Sequence, residues 1–144
     1  MKRYSKTTTR VRYKDTDQMG VVYYANYFVW FELGRSEYFR ELGMSYKDLE
    51  QNELFLPVVE AYCKYHYPAR YDDELSIITT LSMMQEVKLG FRYDIINIKD
   101  DKALASGETI HAFVNGKGKP VVLRKQNPFL WRLLKEKVME KVEP

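Results

Sequence analysis

The sequence predicts an α+β fold, with one long helix laid on an antiparallel sheet and a further helix near the C-terminus. Three observations carry this. From Tyr24 to Leu42, apolar residues recur three or four apart, the period of a half-buried helix. After Pro57 the period becomes two, over several successive segments. The links between those segments are too short for crossover helices, so neighbouring strands must run antiparallel.

The elements follow in order. Thr7 to Lys14 (TTTRVRYK) is rich in β-formers and predicts a first strand. In the helix, Tyr27, Phe31, Gly34, Tyr38 and Leu42 share one face, and Glu32, Arg35, Glu37 and Glu41 supply much of the polar remainder. Glycine costs about 1 kcal/mol inside a helix, so Gly34 suggests a close approach to the sheet. Gly43 is a natural stop. Ser45 to Asp48 has the spacing of a capping box and predicts a short second helix.

Val59, Ala61, Cys63, Tyr65 and Tyr67 then form one apolar strand face, opposite Glu60, Tyr62, Lys64 and His66. Pro68 to Glu74 is a turn region. Leu75, Ile77, Thr79 and Leu81 alternate, as do Leu89, Phe91, Tyr93 and Ile95. Leu104 to Val114 gives another strand, Gly116 to Pro120 a turn, and Val121 to Leu123 a short strand. Asn127 caps a last helix, over about 127–141, with Pro128 at its first position and Leu130, Leu134 and Val138 as its apolar stripe. A single domain over 1–144 is expected, with its core over about 7–123.

Composition sets limits. A chain of 144 residues can bury a real core, and 45% apolar with 30% charged residues excludes a disordered chain. No apolar run approaches the roughly 20 residues that span a bilayer, and MKRYSKTTTR lacks the apolar centre of a secretion signal. The single cysteine excludes an internal disulfide. A cytoplasmic protein is expected. The net charge of +3 is mild and the basic residues are spread along the chain, which disfavours nucleic acid as a partner. Tyr, Phe and Trp make up 15% of the chain, a composition that suits a homo-oligomer.

Asp15 to Asn26 reads DTDQMGVVYYAN. Two acids one residue apart precede a glycine and an apolar, aromatic run. The opening D-x-D-x-x-G matches a calcium loop, but Met19 and Asn26 stand where that loop needs an oxygen ligand and a bidentate Glu. As turn residues the two acids would bond their own backbone. Their position allows more. They lie in a strand-to-helix loop, just before a helix N-terminus whose unpaired N–H groups can polarise a carbonyl. A carboxylate beside that carbonyl could attack it, or activate water to do so.

Other chemistries lack their residues. Cys63 and His66 are three apart in a strand and point to opposite faces, and Cys63 sits in the apolar register as a buried, inert thiol. Two His and one Cys show no zinc spacing. His111, on the last long strand, reads as packed or partly exposed rather than catalytic. No Gly-rich phosphate loop or GxSxG elbow occurs.

VRYKDTDQMGVVYYANYFVWFE resembles the signature of the 4-hydroxybenzoyl-CoA thioesterase-like group of hot-dog-fold proteins, which includes the acyl-CoA thioesterases associated with the Tol-Pal system. PVVEAYCKYHYPARYDDEL resembles that family's second strand and following turn, and the likeness runs from about Thr7 to Leu123. It implies a long helix wrapped by a curved antiparallel sheet, in homodimers or homotetramers with sites between subunits. It implies hydrolysis of an acyl-CoA thioester, or of one on acyl carrier protein, without metal or other cofactor.

By that resemblance the second acid, Asp17, is the catalytic carboxylate, acting as nucleophile or general base, and the N–H of Tyr24 meets the thioester carbonyl. One branch carries His where this chain has Tyr24, so a His-assisted route is not expected. Asn26 holds the loop or orients Asp17, Gly20 and Val21 of the same loop contact substrate, and Asp15 is structural. Lys88, Arg124 and Lys125 are candidates for the CoA phosphates, against ordinary solvated charge. Val59 and Glu60 are candidates for the acyl pocket, against a core or surface role. The alternative is a non-catalytic hot-dog protein that binds acyl-CoA or acyl carrier protein. A hot-dog dehydratase would pair a His with an acid, and neither His66 nor His111 sits in such a motif.

Overall fold

A computed structural model describes residues 3–138. Its strands are β1 (Tyr4–Arg10), β2 (Val58–Tyr65), β3 (Glu74–Met84), β4 (Lys88–Asn97) and β5 (Lys102–Ala112). Its helices are α1 (Asn26–Glu41), α2 (Tyr46–Gln51), α3 (Leu123–Gln126) and α4 (Pro128–Lys137). The strands form one antiparallel sheet in the order β1-β3-β4-β5-β2. Its β3–β4–β5 centre comes from consecutive hairpins, as the short links require. Helix α1 lies across β1, β3 and β4, so the sheet wraps one long helix, the hot-dog arrangement.

The core sits between α1 and the sheet. Tyr27, Phe31 and Tyr38 are buried, as the helical period predicts, and Trp30 and Phe39 join them. Phe31 stacks on Tyr93 with centroids 4.3 Å apart. Gly34 permits the close approach. A Cβ there would stand 2.9 Å from Ile77 Cγ2, and nearer still to Thr79 Oγ1. Ser45 and Asp48 complete the expected capping box of α2, with bonds of 2.9 and 3.1 Å. Asn127 Oδ1 accepts from the Leu130 amide at the start of α4, and Leu130 and Leu134 are buried.

A polar chain crosses this core. His111 Nδ1 lies 2.9 Å from the Leu56 carbonyl, which can only accept, so Nδ1 carries the proton. Thr109 then donates to Nε2 at 2.8 Å, and Tyr93 donates to Thr109 at 2.6 Å. Arg35 donates to Tyr93 and to Tyr46. Every donor in the chain has one direction. Burial pushes the His111 imidazole down to about 4, which keeps it neutral and fixes this pattern.

Six expectations shift. The first strand spans Tyr4–Arg10 rather than Thr7–Lys14, because Tyr13–Asp15 forms a 3-10 turn instead. The main helix starts at Asn26 rather than Tyr24, and the strand expected over Leu104–Val114 spans Lys102–Ala112. Leu123 opens helix α3, so Val121 to Leu123 is no strand. The last helix ends at Lys137, with Val138 already extended; positions 139–141 of that expectation lie outside the described residues. Finally, the apolar register of β2 is not core. Val59, Ala61 and Tyr65 are exposed, and Cys63 is only half-buried, with burial raising its thiol.

Candidate active site

The loop from Asp15 to Asn26 is shaped by its own polar groups. The Asp15 carboxylate accepts from the Arg12 amide at 2.8 Å and closes the 3-10 turn. The Asp15 carbonyl accepts from the Tyr23 amide at 2.9 Å and from Asn26 Nδ2 at 2.8 Å. Asn26 thus ties the helix start to the loop start across eleven residues. Asp15 is 7% exposed and its Oδ2 and carbonyl oxygen hold the turn and the helix start, which is a structural role.

Asp17 is different. Its amide donates to the Val21 carbonyl at 2.8 Å, and its carbonyl accepts from Gly20 at 3.0 Å. Gly20 has φ of 78°, a left-handed conformation that glycine adopts without strain. Asp17 Oδ1 accepts from the Met19 amide at 2.8 Å. Oδ2 has no partner among the described residues, and the side chain is exposed. Backbone bridges of Val21 to Arg70 and Thr16 to Val22 pin the loop beside the segment that follows β2.

The start of α1 is left uncapped. Its N-cap, Ala25, has no side-chain hydrogen bond, and the amides of Tyr24 and Ala25 have no acceptor among the described residues. Such groups attract negative charge. Tyr65 Oη donates to the Tyr24 carbonyl at 3.0 Å and so fixes the peptide unit that leads into the helix. Burial pushes the Tyr65 hydroxyl up to about 12, so it remains a donor. Tyr27 Oη accepts from the Ala69 amide at 3.1 Å and packs on Tyr65 with centroids 5.0 Å apart.

These groups line a cleft of about 300 Å³ that holds Asp17, Val21, Tyr24, Tyr27, Tyr65, Tyr67 and Pro68. The sequence reading had no role there for Tyr27, Tyr65 or Tyr67. The signal for the last two was their shared face on an alternating strand. His66 borders the same cleft, with Nε2 3.1 Å from Ser106 Oγ.

Asp17, Val21 and Tyr24 therefore line one cleft, while Gly20 and Asn26 lie in the same loop and shape it without lining the cleft. Val59, Glu60, Lys88, Arg124 and Lys125 are not brought to them within one chain. Tyr65 pairs with Ala105 of β5, whereas Val58 pairs with His111 and Lys88 with Ala112. Six or seven strand residues separate the two ends, about 20 Å. Arg124 lies at the far end, bonded to Glu86. A second cleft of about 510 Å³ opens there, between Tyr46, Phe55, Leu56, Pro57 and Val114. Among the described residues no group of three or more His, Cys, Asp or Glu is placed to hold a metal ion. No described helix is long and apolar enough to cross a membrane.

Comparison with known proteins gives a consistent result. The profile of the thioesterase-like superfamily matches residues 11–140. YneP of Bacillus subtilis, named provisionally as an acyl-CoA thioesterase, is 34% identical over 125 residues, 86% of this chain and 90% of its own. The acyl-CoA thioesterase YbgC of Haemophilus influenzae is 34% identical over 119 residues, 81% of this chain and 86% of its own. Among solved structures, a DHNA-CoA thioesterase from Staphylococcus aureus superposes with a TM-score of 0.88 at 28% identity, covering 92% of this chain and 89% of its own.

Proposed function

Because the chain belongs to the thioesterase-like superfamily, we propose that it hydrolyses acyl-CoA thioesters with the Asp17 carboxylate as nucleophile or general base. Family membership makes the protein a thioester hydrolase. One observation supports the assignment of Asp17: a carboxylate with a free oxygen and a helix start with free amides meet at one cleft.

The thioester carbonyl oxygen accepts from the Tyr24 amide, with Ala25 beside it, so the charge that develops on attack is met by preset donors. On the general-base route, Asp17 Oδ2 takes a proton from water while the water oxygen bonds to the carbonyl carbon. The C–S bond breaks, and the thiolate leaves with that proton. On the nucleophilic route, Oδ2 itself bonds to the carbon, the thiolate leaves, and water cleaves the resulting anhydride. The tyrosine walls suit an aromatic or a short aliphatic acyl group.

The site is completed by a second copy. Strand β2 is an edge strand with apolar residues exposed on both faces, including Val59 at 55% and Tyr62 at 52%. An open edge of this kind invites pairing. Antiparallel pairing of β2 with its copy about a two-fold near Ala61 and Tyr62 sets Val58–Glu60 of one chain opposite Cys63–Tyr65 of the other. The same operation carries Lys88, Arg124 and Lys125 toward the partner's cleft. A homodimer, alone or within a tetramer, thus brings together the residues that one chain holds apart. Acyl carrier protein presents the same thioester arm and is the alternative donor of substrate.

The test is release of free CoA from aromatic and aliphatic acyl-CoAs, by wild type and Asp17→Asn in parallel, with sedimentation of each protein. Release by wild type and its loss in the variant are expected, from a dimer or larger assembly. Binding without release from any substrate would make this a binding protein. Full activity from a monomer would remove the shared site.

A further inference from the structure

Arg124 does not stand free at the far end of the sheet. Its Nε and one terminal nitrogen both lie 2.9 Å from the same oxygen, Glu86 Oε1. The two residues are held together by backbone as well as charge, for the Leu123 amide donates to the Glu86 carbonyl at 2.9 Å. Glu86 lies in the turn from β3 to β4, closed by the Gln85 amide on the Lys88 carbonyl at 2.8 Å. Lys88 and Lys125 have no carboxylate in ion-pair range among the described residues. Of the three cations considered for the CoA phosphates, Arg124 alone is neutralised in place.

We propose that Glu86 is a specificity-determining residue that holds Arg124 in position and yields it to a phosphate of the bound CoA thioester. This rests on the acyl-CoA reading above and deepens it. The geometry supports an exchange. A strong guanidinium pair uses two parallel bonds to two oxygens. Here both nitrogens converge on one oxygen. Both side chains are about half exposed, at 52% and 55%, where an ion pair contributes little. A phosphate offers more charge and several acceptor oxygens, and guanidinium geometry matches it. Glu86 therefore sets a threshold. A thioester that carries phosphates at this distance displaces it, and one that lacks them leaves the pair closed.

The test compares KM for an acyl-CoA with KM for the same acyl group on pantetheine, which carries no phosphate. Glu86→Gln should lower KM for acyl-CoA about fivefold at low ionic strength, with the gain shrinking in about 0.5 M salt. KM for the pantetheine thioester should hold within about 1.5-fold. In an Arg124→Gln background, Glu86→Gln should no longer lower KM. An unchanged acyl-CoA KM in Glu86→Gln overturns the proposal, as does an equal change for both substrates or a gain that persists without Arg124. If wild type cleaves no acyl-CoA, the activity reading fails, and the exchange is judged by calorimetry. CoA itself should still bind Glu86→Gln more tightly than wild type, and pantetheine equally to both.

Discussion

The Asp15–Asn26 loop and the chain from Arg35 to His111 are both polar, and they differ in what is left over. In the core chain, each shared proton has one donor and one acceptor, and the sequence of bonds ends on the Leu56 carbonyl. In the loop, the bonds of Asp15 and Asn26 are likewise spent on shape, but one oxygen of Asp17 and two amides of the helix start remain unspent. Saturated polar groups hold a fold, and unsaturated ones at a cleft are where chemistry is available. The contrast predicts that damage to the core chain is read in stability and damage to Asp17 in turnover.

The largest effect falls on the core chain. The folded His111 titrates near 4, below its ordinary value of 6.5, so the unfolded chain binds the extra proton first. Its contribution to stability is therefore complete above about pH 6.5, and it is lost as pH falls toward 4. The loss is about 3 kcal/mol over that window. Urea unfolding at pH 7 and pH 4 should show it in wild type and not in His111→Gln, whose stability should already be lower at pH 7. Equal pH dependence in the two proteins would mean that His111 does not hold this chain.

Asp17→Asn should cut turnover at least about a hundredfold, the lower range for loss of a general base, equivalent to about 2.7 kcal/mol. Its urea midpoint should match wild type, because Asn can still accept from the Met19 amide. Asp15→Asn should do the reverse and lose stability first, since its carboxylate closes the Arg12 turn. A stable but inactive Asp15→Asn would exchange the roles of the two acids.

How much of this contrast was legible in the sequence depends on what sets each element. The α1 face, the Ser45 capping box and the alternation of β3 and β4 are local patterns, and each appears where its period or spacing placed it. The start of α1 and the 3-10 turn are set by the Asp15 carboxylate and carbonyl reaching three to eleven residues along the chain, which no period encodes. Helix α3 replaces a short strand because its Leu123 amide is taken by Glu86, thirty-seven positions earlier. The alternation of β2 was read correctly as a strand, yet its apolar face is largely exposed in one chain, with Cys63 only half-buried against the core. An alternating pattern records that a face is apolar and leaves open what covers it. The Asp17 loop was readable as a site because its residues are contiguous. The tyrosines opposite it come from the far end of β2, which only the sheet topology brings near.

Gly34 sits where α1 packs close against the sheet. It spends no hydrogen bond, and its contribution is the absence of a side chain facing Thr79 and Ile77. Gly34→Ala should destabilise by about 1–2 kcal/mol, the cost of overpacking less the gain in helix propensity. Adding Thr79→Ala should restore part of that loss, because it removes the nearer of the two atoms. A stabilised Gly34→Ala would show that α1 can lift from the sheet at little cost.

The smallest effect should come from Tyr65→Phe, where the two kinds of polar group meet. The Tyr65 hydroxyl reaches the helix start only through the Tyr24 carbonyl, and the ring contacts with Tyr24 and Tyr27 in the cleft wall survive the change. The lost hydroxyl frees the peptide unit leading into the helix start, and about fivefold lower turnover is expected, from one neutral hydrogen bond of about 1 kcal/mol. If the carbonyl oxygen of the substrate is held by the Tyr24 amide, this loss should appear in kcat more than in KM, because the interaction strengthens as charge develops. An equal rise in KM alone would mean that the Tyr65 hydroxyl acts on substrate binding and not on the Tyr24 peptide, and would shift the weight of carbonyl binding from Tyr24 to Ala25.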